Sequence, residues 1–158
     1  MVRYVEGGGK RPAGQLDDAD YSALAEWRHA LRRFLRASEL ITKAAGVSST
    51  QYQLLLFVRG SPTRALAIAE LAEKLQILHQ SAVGLVDRCE RVGLVRRRRD
   101  PANGRRVLVE TTRRGAALLR RLAAEHFSTI EKLGRSFFPP LPRERRPRQA
   151  ASAGKRAL

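Results

Sequence analysis

The side chains best suited to chemistry lie between residues 79 and 106. The segment HQSAVGLVDRCER can place polar groups on one helical face, and RRRRDPANGRR follows it closely. Gln, Ser and Arg donate hydrogen bonds, and arginine also binds anions through a planar, two-pronged guanidinium. This set of groups suits a polyanion that offers hydrogen-bond acceptors, as nucleic acid does.

The helix predicted from His79 to Val92 has two faces. We expect its apolar face to pack on the two preceding helices; that face consists of Ala82, Leu85, Val86, Cys89 and Val92. The other face suits a DNA major groove, because Gln and Arg donate to base edges, Gly84 permits close approach and Val83 has methyls for a thymine. Taken alone, this helix favours the interpretation of an ordinary solvated face, and the basic hairpin that follows reverses that preference. The interface residues predicted on it are His79, Gln80, Ser81, Val83, Gly84, Asp87, Arg88 and Arg91.

A basic hairpin is predicted after this helix, with strands near 95–99 and 105–111 and Asn103-Gly104 at its turn. Its six arginines repel one another unless an anion is near, although a solvated sheet edge is the alternative. Asp100 is expected to pair with Arg105 or Arg106. Arg105, beside the tip, suits insertion into a minor groove. The interface residues predicted on the hairpin are Arg97, Arg98, Arg105 and Arg106.

Apolar periodicity and turn residues place these groups in a mainly α fold with a small β-hairpin wing: a winged helix-turn-helix flanked by N- and C-terminal dimerisation helices. One domain is expected over residues 17–138, between a flexible tail at 1–16 and a disordered basic tail at 139–158. The predicted helices span about 18–45, 48–60, 68–75, 79–92 and 112–135.

The first and last helices are long, and each is apolar along one side. So small a winged core cannot cover both, which predicts a homodimer. Two copies would also present two such helices to one face of DNA, matching an inverted repeat.

The composition of the chain narrows the classes of function that it can have. The 158 residues include 31 Lys and Arg against 15 Asp and Glu, a formal net charge of +16, which favours nucleic acid or another polyanion. The chain has no long uncharged apolar run, its start resembles no signal peptide, and its single cysteine suits a reducing cytoplasm. No paired carboxylates, phosphate loop or nucleophile elbow supports an enzyme, and no cofactor or metal is expected. Cys89 is either a small core residue or a redox switch.

At these residues the sequence resembles the MarR (multiple antibiotic resistance regulator) family of winged-helix regulators. The resemblance covers about residues 20–135 and rests on the order and spacing of several pieces, including IAELA, HQSAVGLVDR, GLV, DPANGR and a Thr112-x-x-Gly115 that opens the last helix.

The resemblance implies an obligate homodimer that binds an inverted-repeat operator in double-stranded DNA and is released by a small aromatic carboxylate, a phenolic compound or an oxidant. It implies that Gln80, Ser81, Gly84 and Arg88 meet the major groove and Arg105 the minor groove. A ligand site formed by Trp27, Arg28 and Tyr52 is a hypothesis from the same source, against the alternative that both aromatic rings are ordinary core or interface residues.

The leading interpretation is a sequence-specific transcriptional repressor released by a ligand. A nonspecific basic nucleic-acid-binding protein is the second, because attraction to phosphates is blind to sequence. A winged-helix adaptor between proteins is the third, and the arginine-rich wing disfavours it.

Overall fold

The computed structural model describes residues 16–104 and 106–133. Almost all of the tail predicted at 1–16, the whole tail predicted at 139–158, and Arg105 lie outside them. The predicted mainly α winged helix is confirmed. Its elements in chain order are α1 (Asp18–Ala44), α2 (Ser49–Gly60), β1 (Ala65–Ala67), α3 (Ile68–Leu75), α4 (His79–Arg91), β2 (Val95–Arg99), β3 (Val107–Thr111) and α5 (Arg113–Leu133).

Short polar residues set the ends of the first two helices. The Asp17 side chain accepts a hydrogen bond from the Asp20 N–H at 3.1 Å, and Ser48 accepts one from the Gln51 N–H at the same distance. In both cases the residue three positions on bonds back to the cap N–H, which satisfies two otherwise free donors. Gly46, with φ +73°, turns the chain between them.

The wing belongs to a three-stranded antiparallel sheet in the order β1-β3-β2, rather than to an isolated hairpin. β2 and β3 pair in the register Arg96↔Glu110 and Arg98↔Leu108. The sequence prediction missed β1, because three residues of the type Ala-Leu-Ala favour a helix in isolation. Pairing of Leu66 with Val109 in β3 overrides that preference.

The core lies where α2, α3 and α4 meet the sheet and α5. Its fully buried side chains include Leu54, Leu55, Val58, Leu71, Val86, Val95 and Leu122. Val92, which we expected on the buried face of α4, is 43% exposed. That expectation was wrong because α4 ends at Arg91, and Gly93, at φ +69°, turns the chain into β2.

Gly115 fits α5 against the start of the sheet. A Cβ placed on it would lie 2.0 Å from the Leu94 carbonyl oxygen. Thr112 holds the same junction: its hydroxyl donates to the Gly93 carbonyl at 2.7 Å and accepts from the Gly115 N–H at 3.0 Å. The Thr112-x-x-Gly115 spacing thus combines a helix cap with a close backbone approach.

A buried histidine joins α1, α2 and α5. His126 is 5% exposed, and its ring stacks on Tyr52 with centroids 4.2 Å apart. Its Nδ1 lies 2.6 Å from the Leu122 carbonyl oxygen and its Nε2 lies 2.8 Å from Ser38 Oγ. Because a carbonyl only accepts, Nδ1 donates to Leu122, and Nε2 shares a second hydrogen bond with the Ser38 hydroxyl. The next residue, Phe127, is 67% exposed.

Candidate nucleic-acid interface

The outer face of α4 is open to solvent over its whole length. Ala82, Leu85, Val86 and Cys89 are buried against the core, as the periodicity predicted. The side chains that we expected on the other face are exposed or half-buried. The exposed ones are His79, Gln80, Ser81, Asp87, Arg88 and Arg91, and the half-buried positions are Val83 and Gly84.

Arg97 ties the wing to this helix. Its Nη2 lies 2.6 Å from Asp87 Oδ1, and its Nη1 donates to Glu90. Its backbone N–H also donates to Glu90 Oε1 at 2.9 Å. Partial burial lowers the pKa of Arg97, but the two carboxylates outweigh it and raise that pKa above its usual value. Arg97, Asp87 and Glu90, here named the helix–wing clasp, fix β2 relative to α4.

Glu110 on β3 binds two arginines of β2. Arg96 Nε lies 2.6 Å from one carboxylate oxygen and Arg98 Nε lies 2.8 Å from the other. Alternate residues of a strand share one face, so Arg96 and Arg98 can converge on the residue opposite. Partial burial pushes the pKa of Glu110 upward, but the two guanidinium groups prevail and hold it below its ordinary value.

Glu70 links the far end of the wing to α3. Its Oε2 accepts the Ala67 N–H at 2.7 Å and lies 2.8 Å from Arg106 Nη2. The Ala67 N–H, and after it Arg106, lower the pKa of Glu70. This contact was not predicted from the sequence, because Glu70 and Arg106 lie 36 positions apart and meet only where the fold brings α3 beside β3.

Asp100 organises the loop at the tip of the wing. Its Oδ1 accepts from the Ala102 N–H at 3.0 Å, and its own N–H donates to the Arg106 carbonyl at 2.8 Å. The predicted pairing of Asp100 with Arg106 is present at 3.9 Å. The predicted hairpin is confirmed by the pairing of β2 with β3. Arg105 lies outside the described residues, and its minor-groove role stays a prediction.

Repulsion among the wing arginines is therefore largely relieved within the chain. Arg96, Arg97, Arg98 and Arg106 all have carboxylate partners. Within residues 16–104 and 106–133, Arg88, Arg91 and Arg99 have no such partner and are exposed. Arg99 was not among the predicted interface residues; its place next to the loop is the signal that could have indicated it.

The three residues of the predicted ligand site lie in different surroundings. Arg28 is exposed on α1, Trp27 is 39% exposed and Tyr52 is buried beneath His126. A cleft of about 460 Å³ lies between the end of α1 and the start of α2 and is lined by other residues, among them Glu39, Thr42, Lys43 and Ser49. In the described part of the chain, no three His, Cys, Asp or Glu side chains cluster as metal ligands would. None of the helices described there has the length and apolar character that a membrane crossing requires.

Helices α2 to α4, with a three-stranded sheet whose β2–β3 hairpin projects beside α4, define the class of winged helix-turn-helix proteins. The model of the MarR family matches residues 45–106, which run from just before α2 to the residue before β3. The HTH-type transcriptional repressor YetL of Bacillus subtilis is 29% identical over 85 residues, 54% of this chain. The chain spans about half of YetL, since the match covers 51% of that relative.

Solved structures extend the likeness to α1 and α5. AbsC, a MarR family transcriptional regulator from Streptomyces coelicolor, superposes with a TM-score of 0.65 at 19% identity, over 79% of this chain and 84% of its own. Sco3205 from the same organism, solved in complex with DNA, gives 0.63 at 25% identity, over 80% and 79%. The chain therefore shares the fold of these MarR family structures, and its residues 45–106 match the MarR family model.

Proposed function

We propose that this protein is a sequence-specific, DNA-binding transcriptional regulator. One observation carries the proposal: the exposed polar face of α4 stands beside a basic wing that the helix–wing clasp holds in place. Such a pair of elements can enter adjacent grooves of one duplex. YetL is named a repressor and Sco3205 was solved with DNA, and both support this role.

In the proposed complex the two elements contribute differently. His79, Gln80, Ser81, Val83, Gly84, Arg88 and Arg91 face the major groove. Arg98, Arg99, Arg105 and Arg106 approach the backbone or the minor groove. Asp87 and Arg97 remain part of the interface, but their mutual pairing makes their main task the relative placement of helix and wing.

We further propose that the active species is a homodimer formed through α1 and α5. The 27 residues of α1 include only two buried ones, Ala30 and Thr42. Large apolar side chains are left exposed on both helices: Tyr21 58%, Leu24 58%, Leu35 54%, Leu40 52% and Phe127 67%. So much exposed apolar surface on two packed helices favours burial by a second copy.

The repressor role and its release by an aromatic carboxylate or phenol are the finer part of the proposal. Tyr52 already stacks on His126, so a ligand that uses Tyr52 must displace that stack. Titration with salicylate tests this: we expect a shift in Tm and weaker DNA binding. No change in either would remove the Trp27, Arg28 and Tyr52 site from the proposal.

The decisive experiment is fluorescence anisotropy on the duplex upstream of the protein's own coding region and on a scrambled duplex, across a salt series. Preference for the native duplex that persists as salt rises supports a sequence-specific regulator. Gln80→Ala and Arg88→Ala should then reduce the preference, whereas Arg99→Ala should weaken both duplexes alike and lower the salt slope by about 1.

Equal binding to both duplexes, collapsing together as salt rises, would favour the nonspecific alternative, which rests on the net charge of +16. Binding to neither duplex, with capture of a protein partner in nuclease-treated extract, would favour the adaptor.

A further inference from the structure

Leu78, in the turn between α3 and α4, has an environment that the fold does not explain. It is 79% exposed, the largest fraction among the large hydrophobic side chains of residues 16–104 and 106–133. Its neighbour Ile77 packs against the core, so the turn already has its apolar anchor. Exposure of this leucine contributes nothing to folding.

The same residue occupies the N-cap of α4, where leucine is among the poorest choices. Leu78 offers no side-chain hydrogen bond to the first turn of α4. The cap residues Asp17, Ser48 and Thr112 offer one to α1, α2 and α5, and in α3 the Glu70 side chain accepts the N–H of the cap residue Ala67. Leu78 therefore combines an unfavourable cap with unfavourable exposure, at the end of the helix that the proposed function brings to DNA.

We propose that Leu78 determines specificity by packing on the C5-methyl group of a thymine in the major groove. This inference rests on the proposed function and names one base contact within it. The thymine methyl is the apolar feature of the major groove, and residues at the start of a recognition helix are those that contact base edges. A serine or aspartate at this position would cap the helix but would offer no apolar surface to that methyl.

The residues next to Leu78 carry no negative charge that would oppose its placement in the major groove. His79, Gln80 and Ser81 follow Leu78 and are exposed, and no acidic residue lies in the first turn of α4. An acidic cap is common at helix starts, but it would repel the DNA backbone. Val83, also able to touch a methyl, is half-buried one turn further on, so the two can be tested separately.

The test begins by selecting preferred duplexes from a randomised pool with the full-length protein. Each thymine of the selected sequence is then replaced by deoxyuridine, which removes only the methyl group, and Kd is measured by anisotropy. For the natural protein we expect one thymine per half-site whose methyl removal weakens binding about fourfold. Leu78→Ala should bind the thymine and deoxyuridine duplexes equally at that position.

Two further variants separate this contact from a change in stability. Leu78→Ser should lose the methyl dependence while its Tm rises by about 2–4 °C, because serine caps α4. Val92→Ala removes an exposed apolar residue at the opposite end of α4 and should keep the full methyl dependence.

The possible outcomes separate a failure of the role given to Leu78 from a failure of the proposed function. If a preferred sequence is found and Leu78→Ala keeps the fourfold thymine dependence, the role of Leu78 is wrong and the proposed regulator stands. A methyl dependence that vanishes in Val83→Ala but not in Leu78→Ala gives the contact to Val83. If the natural protein selects no sequence at all, the proposed function fails, and the inference about Leu78 fails with it.

Discussion

Gly115 has no room for a side chain. The carbonyl group of Leu94 lies where a Cβ would stand, and because it is part of packed backbone it cannot move aside independently. We expect Gly115→Ala to lower the free energy of unfolding by about 3 kcal/mol, measured by urea denaturation.

Gly60→Ala is the matched control. No atom lies within 4 Å of a Cβ at Gly60, the last residue of α2. Its free energy of unfolding should stay within about 1 kcal/mol of that of the natural chain. Equal effects of the two substitutions would contradict the close approach of α5 to Leu94.

Cys89 illustrates how burial controls reactivity. The thiol is fully buried, and desolvation raises its pKa, with smaller opposing effects from Gln51 and Arg88. We expect iodoacetamide to alkylate Cys89 in the native protein at least about a hundredfold more slowly than in guanidinium chloride, by mass spectrometry. Rapid native labelling would restore the hypothesis of a redox switch.

At the scale of elements, the helix–wing clasp makes one rigid unit of α4 and β2. In the Arg97→Ala variant we expect α4 and β2 to stay folded, but the position of one relative to the other should no longer be fixed. We therefore expect the preference for a selected duplex over a scrambled one to fall about fivefold, by anisotropy. Arg99→Ala is the control, since Arg99 has no carboxylate partner in the described chain and should affect both duplexes alike. A uniform loss in Arg97→Ala would instead mean that Arg97 contacts phosphate directly.

Lowering the pH should destabilise the wing, because Glu110 then becomes protonated. Its pKa in the folded chain is below the ordinary value, so its stabilising contribution is complete above the unfolded pKa, about 4.3. The contribution is lost as the pH falls through the lower, folded value. We expect Glu110→Gln to have a lower Tm than the natural chain at pH 7, and we expect this difference in Tm to shrink as the pH falls from about 4.3 to about 3.

The exposed Glu131 on α5 provides the control for that comparison. Glu131→Gln should match the natural chain at every pH. A gap between Glu110→Gln and the natural chain that stays constant down to about pH 3 would show that the Glu110 charge is not what stabilises the wing.

At the scale of the whole molecule, the apolar surfaces of α1 and α5 predict self-association. Phe127 on α5 is 67% exposed, so Phe127→Glu should shift the protein from dimer to monomer in sedimentation velocity. The DNA affinity of this variant should also fall, because a dimer that contacts two half-sites binds more tightly than a monomer that contacts one.

Leu56→Glu, on the 43% exposed Leu56 of α2, should remain dimeric. A natural chain that sediments as a monomer at micromolar concentration would overturn this assignment and leave the apolar faces of α1 and α5 to another partner.

The helices and the two strands of the hairpin were predictable from the sequence alone, because their determinants are local. Caps at Asp17 and Ser48, the stop at Gly46, and apolar spacing in α3 and α4 act over a few residues. The exposed face of α4 followed from the same periodicity, and so did the burial of Cys89.

Contacts between distant segments were decided by the tertiary structure. β1 forms because β3 offers it a partner, and His126 enters the core because Tyr52 stacks on its ring and Ser38 forms a hydrogen bond with it. The sequence determined that the wing would carry six arginines. Only the fold decided that Asp87, Glu90, Glu110 and Glu70 would bind four of them, because an ion pair depends on the distance between charges in space, not along the chain.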